Sequence, residues 1–248
     1  MRTIGELVSL YLSSVNYISG DADLDKRLIK SWIRTSRAIW VKNELQKNKP
    51  VSTIFIQPLG VLDLEIADRS EVPISGFNIL RSKKTIPETI ENFGEPSITR
   101  ISPALVTSAS YRFIAFERVP FIGSGRFDEN AIFTFLHPTN NQIYIISKGT
   151  NILKNAMRKI IVNAILANPE DASTYSNIDR TPCYTSSSAY PISEYLVGYM
   201  KDIIINVDFK TFMAAHPDEF NNAKDDYRLS AAGMPRPQKQ TQPNQEEE

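Results

Sequence analysis

The sequence predicts an α+β protein: an N-terminal helical hairpin, a central mostly antiparallel β domain, C-terminal helices and an extended polar tail. Three observations predict it. Near the start, apolar residues recur at three- and four-residue steps; through the middle of the chain they recur at every second residue; near residue 195 the helical spacing returns.

The first helix is expected over residues 3–18, where Ile4, Leu7, Tyr11, Val15 and Ile18 share a face and Gly20 and Asp21 end the pattern. The second runs from about Asp25 to Lys47. Asp23 is its expected N-cap, and Asp25 favours the positive end of the helix dipole. Leu28, Ile29, Trp32, Ile33, Ile39 and Trp40 fill one face, with Ser36 as a small residue in the stripe. Lys26, Arg27, Lys30, Arg34 and Arg37 fall on the opposite arc, and Asn48-Lys49-Pro50 stops the helix.

Period-two patterning then predicts strands at Thr53–Gln57, Val61–Ile66, Phe77–Arg81, Ile98–Ile101, Tyr111–Glu117, Ala131–His137, Gln142–Ser147 and Lys159–Ile165. The clearest pair joins Ile132–Phe135 to Ile143–Ile146 through the turn-rich His137-Pro138-Thr139-Asn140-Asn141. Strands this short and closely spaced predict a sandwich, a barrel or a curled sheet; the last of them, within Asn155–Leu166, also reads as a helix. Residues 168–192 are a Pro-, Ser- and Thr-rich loop long enough to cover a neighbour. Ser193 is the expected N-cap of a helix through about Ile205, and Asp208 opens a further helical turn, Phe209–Ala215. The expected divisions are 1–50 helical, 51–167 β, 168–226 loop and helices, and 227–248 polar tail.

Composition narrows the function. The 248 residues hold 28 Lys+Arg and 28 Asp+Glu, so bulk charge attracts no nucleic acid and only a local patch could. The single cysteine, Cys183, excludes an internal disulfide framework and fits a reducing compartment. No apolar run approaches the roughly 20 residues of a membrane helix, and the start lacks a signal-peptide pattern. A soluble chain made in a cytoplasm, with no membrane contact, is the expectation.

Each candidate chemistry meets a plainer reading. Asp21, Asp23 and Asp25 alternate like the start of a calcium loop, but Lys26 and Trp32 stand where glycine and glutamate are required. Gly123-Ser124-Gly125-Arg126 lacks the third glycine of a dinucleotide fingerprint, Asp128 standing in its place. Cys183 could pair with His137 or His216 as a small cysteine hydrolase, yet both histidines precede prolines in turns. Asp63 and Glu65 share a strand face, with Glu117 and Asp128 elsewhere, as acids on a solvated strand ordinarily do. No catalytic residue, cofactor or metal is expected. The stripe Lys26, Arg27, Lys30, Arg34 and Arg37 is either a solvated helix face or a contact for DNA or an acidic partner. A second basic cluster, Arg81, Lys83 and Lys84, also reads as a hydrophilic loop. Pro235, Arg236, Pro237, Gln240 and Pro243 mark a tail suited to lying along another surface.

Four stretches taken together resemble a known family. They are Leu24–Ile33 with its basic helix, Gly60–Glu65, Ile79–Pro87, and Tyr190–Leu196 continuing to Asp218–Asp226. Their order resembles the head-to-tail connector, or neck ring, proteins of crAss-like tailed phages over about residues 20–226. Residues 151–190 fit that pattern poorly. The resemblance implies a structural virion protein without enzymatic activity, assembled in the bacterial host cytoplasm. It implies a ring of identical subunits, twelvefold like the portal, that joins the portal protein to other neck or tail proteins around a channel for passing double-stranded DNA. A tail-tube or tail-hub subunit is the alternative within the same class.

Overall fold

The computed structural model describes residues 2–18, 24–47, 51–72, 74–105, 110–122, 131–149, 152 and 158–215. Two helices come first, α1 (Ile4–Ile18) and α2 (Lys26–Gln46). Asp25, rather than Asp23, caps α2: its carboxylate accepts from the Arg27 backbone N–H at 2.9 Å. Asp21 and Asp23 lie outside the described residues.

Nine strands follow among the described residues: β1 (Gln57–Ile66), β2 (Asn78–Ser82), β3 (Glu91–Asn92), β4 (Glu95–Pro96), β5 (Ile98–Pro103), β6 (Arg112–Phe113), β7 (Phe133–Leu136), β8 (Ile143–Ser147) and β9 (Lys159–Ala164). Seven form one sheet in the order β5-β9-β1-β2-β8-β7-β6, antiparallel throughout except for the β6–β7 edge. β3 and β4 pair separately. The expected β7–β8 pair forms, with Phe133 opposite Ile146 and Leu136 opposite Ile143.

Some expected strands differ. Thr53–Phe55 is a 3-10 turn capped by Ser52, and the first strand starts only at Gln57. The predicted Tyr111–Glu117 strand shortens to two residues and then turns into a 3-10 helix, Phe116–Phe121. The ambiguous segment before Leu166 is strand, because Ile160, Val162 and Ala164 point alternately into the core. Nor does the last helix restart at Asp208. The chain runs without a break from α3 (Glu194–Ile203) through a π-helical turn, Ile204–Phe209, into α4 (Lys210–Ala215).

The described residues form three apolar cores. The first joins α1 and α2 to α3 and the π turn, so the two ends of the described chain form one helical layer. The fully buried Tyr11 hydroxyl donates to the Val197 carbonyl at 3.0 Å, and Trp32 meets Phe212 edge to face. The other two cores lie on opposite faces of the sheet. Along β8, Ile143 and Ile145 face one way while Tyr144 and Ile146 face the other.

Candidate partner-binding surface

The element that fixes the surface is the loop of residues 168–192. It covers its own chain and straps the helical layer to the sheet. A 3-10 turn, Pro169–Thr174, opens it. On the sheet side the Ser176 carbonyl accepts from the Val61 N–H at 2.9 Å, at the bulge where Gly60 takes φ +60°. A side chain on Gly60 would place its Cβ 2.1 Å from that carbonyl oxygen, so only glycine lets strap and strand meet. Further along, the Gln57 amide donates to the Pro169 carbonyl, Lys84 to that of Thr174, and Tyr175 to that of Thr85.

On the helix side the strap takes up most of the basic stripe of α2. Arg34 and Lys30 both pair with Glu170, Lys30 at 2.5 Å. Arg37 is 1% exposed. Its Nε donates to the Pro191 carbonyl and its Nη1 to that of Leu166, each at 2.9 Å, and the guanidinium packs against the Phe55 and Tyr190 rings. Nη2 has no hydrogen-bond partner among the described residues, so carbonyls and rings hold this charge rather than a carboxylate. Burial lowers the Arg37 pKa, with Tyr190 and Tyr184 opposing; burial also pushes Tyr190 up to about 12.

The stripe is therefore not one solvated arc. Arg37 is a core residue, whereas Ile39, expected in the apolar face, is 57% exposed. The pattern failed here because an arginine with a ready set of carbonyl acceptors can be buried, and the acceptors lie more than a hundred residues away in sequence. Of the five stripe residues, only Lys26 and Arg27 are exposed and make no ion pair among the described residues. The second basic cluster is divided in the same way. Arg81 is clamped by Glu65 and Glu71 at 2.8 Å each, Lys84 lies over the Tyr175 ring, and Lys83 is exposed.

The hydrolase constellation does not assemble from the described residues. Cys183 lies against Gly60 and within 3.5 Å of the Asn177 side-chain oxygen. Burial and then Asp179 push its thiol up, the reverse of what a nucleophile needs. His137 packs on Phe116 and Tyr144 at the opposite face of the sheet. Asp63 and Glu65 each face a cation of a neighbouring strand, Lys159 and Arg81. His216, the Gly123–Arg126 stretch, Asp128 and the tail residues Pro235, Arg236, Pro237, Gln240 and Pro243 lie outside the described residues.

Residues 6–227 match a family model of crAss-phage proteins described as phage tail ring protein 2. The chain belongs to this family of phage tail ring proteins. A search of curated proteins finds no match. Membership makes the chain a structural component of a phage ring, not an enzyme, with copies of itself and other tail proteins as its partner class. No helix among the described residues is long and apolar enough to cross a membrane. The match ends at residue 227, so residues 228–248 lie beyond it.

Proposed function

We propose that this ring protein sits in the virion neck, joining the portal to the tail and forming part of the conduit for double-stranded DNA. The observation that carries the reading is the family match over residues 6–227, in which a ring role accounts for nearly the whole chain. A strapped, two-layer subunit without a catalytic constellation among the described residues suits a load-bearing ring. Rings of identical copies close by head-to-tail contacts between unlike patches, and twelve copies would match a twelvefold portal. Of the α2 stripe, Lys26 and Arg27 are the cations left for an acidic partner or for passing DNA. The segment 227–248 serves as an arm ordered by a neighbouring subunit. Assembly takes place in the bacterial host cytoplasm.

Electron-microscopy reconstruction of purified particles, with this chain labelled, tests the reading. Twelvefold density for it between portal and tail is the expected result. The word "tail" in the family's description favours a second reading, a tail-tube or tail-hub subunit, and label at the far end of the particle would establish that instead. Deleting Gly233–Glu248 should leave the melting transition unchanged and weaken docking into particles. Undiminished docking would make the arm dispensable.

A further inference from the structure

Between the first turns of α1 and α2 lies an open groove of about 320 Å³. Its floor is apolar: Ile4 and Val8 belong to the helical core and are only 5% and 6% exposed. Gly5 and Ser9 form one wall, and Lys26, Arg27 and Lys30 form the other. Among the described residues, a Cβ built on Gly5 meets nothing nearer than the Thr3 hydroxyl at 3.9 Å, so they leave the groove unfilled where glycine stands. Of the three cations, Lys30 is held by Glu170, while Lys26 and Arg27 make no ion pair among the described residues and face the ligand. An apolar floor under a basic rim fits an acidic peptide bearing an aromatic side chain, which would bury its ring and keep its carboxylates on the rim.

The chain carries such a peptide just after the end of α4 at Ala215. Asp218-Glu219-Phe220 and Asp225-Asp226-Tyr227 place four acids and two aromatic residues within ten positions, against one lysine, Lys224. This stretch lies inside the family match, unlike residues 228–248. We infer that the α1–α2 groove of one subunit receives the 218–227 segment of the next. The inference rests on the ring reading, because a closed ring requires two unlike patches on each copy, and groove and segment are such a pair. A phosphate backbone has less use for this site: DNA would engage the two cations but leave the apolar floor and the gap at Gly5 unused.

The test uses the full chain. A labelled peptide of residues 216–228, followed by fluorescence anisotropy, should bind the wild type and weaken as salt rises. Lys26→Glu with Arg27→Glu should reduce that binding by about tenfold or more. Gly5→Leu, whose Cβ meets nothing nearer than 3.9 Å among the described residues and whose side chain extends toward the groove, should abolish it while the melting transition stays in place. Peptide binding that is absent, or indifferent to both variants, overturns the inference. So does binding of a short DNA duplex that falls with the charge reversal but not with Gly5→Leu. Mixing separates neighbour from self. A groove variant (Gly5→Leu) and a segment variant (Asp218→Lys, Glu219→Lys, Phe220→Ala) should each be monomeric and should form dimers, nothing larger, when combined. A mixture that stays monomeric while the peptide still binds assigns the segment to its own groove and overturns docking between copies. The ring reading fails separately, in the particle reconstruction.

Discussion

The two ends of the basic stripe on α2 share one sequence pattern and have opposite fates. At the start, Lys26 and Arg27 stand in solvent; about one to three turns on, Lys30 and Arg34 grip Glu170 and Arg37 is sealed beneath the strap. The helix places all five on one arc of about 100°. The difference comes from what lies opposite: the strap of residues 168–192 covers one end and leaves the other bare. A run of charges on a helix thus reports position, while its role is written in distant sequence.

The sharpest way to break the contrast is to lift the strap. Gly60→Ala adds a Cβ that collides with the Ser176 carbonyl and forces a positive φ on alanine. A left-handed penalty of roughly 1–2 kcal/mol and overpacking of about 1–3 kcal/mol together predict a loss on the order of 3 kcal/mol by urea denaturation. Protease cleavage within 168–192 should rise in parallel; a variant as stable as the wild type would show that strap and strand do not meet as described.

Arg37→Met comes next. Methionine keeps most of the volume but strands the Pro191 and Leu166 carbonyls, each costing roughly 1–3 kcal/mol when buried without a donor. A loss on the order of 3 kcal/mol is expected, and it should stay constant across the acid range because carbonyls do not titrate. If instead stability holds and only assembly suffers, Arg37 is a partner contact after all.

Glu170→Gln tests the middle of the stripe. It removes the countercharge of Lys30 and Arg34 in a partly exposed site, where an ion pair contributes up to about 1 kcal/mol. The expected signature is a small loss of stability that shrinks with added salt; no salt dependence would make the two pairs incidental.

Arg81 offers the contrasting anchorage, since carboxylates rather than carbonyls hold it. The Tyr144 hydroxyl, donating to Glu71, is the main reason that carboxyl is held below its usual range; the Asp68 backbone and Arg81 add to it. A depressed folded-state pKa contributes stability that is complete above the unfolded value, about 4.3, and is lost as pH falls through the folded one. Tyr144→Phe should therefore cost about 1 kcal/mol at neutral pH, and its gap to the wild type should narrow in acid. A constant gap would assign the loss to packing.

These elements show how much the sequence carried. The helices and the β7–β8 hairpin were legible because local periodicity and turn residues specify them. The order of the sheet was not, since β1 pairs with β9 across about a hundred residues and no local signal encodes the partner. Nor was the burial of Arg37: its neighbours on α2 give no hint of Pro191 or Leu166. Cys183 and His137 could be named from sequence as reactive types, but only the fold puts them on opposite faces of the sheet. Gly60 carried a faint signal, a glycine amid alternating apolar residues, which marks a bulge or a close backbone approach.

The smallest effect on stability belongs to the bare end of the stripe, and there it becomes the most telling. Lys26→Ala with Arg27→Ala removes two exposed side chains that make no ion pair among the described residues, so the melting transition should move by less than about 0.5 kcal/mol equivalent. A functional loss from the same variant, read as particles that fail to incorporate the chain, therefore cannot be traced to misfolding. Arg37→Met gives the opposite profile, unstable first and defective only as a consequence. If the two variants lose stability and incorporation in the same proportion, the division of the stripe into a bound end and a free end is wrong.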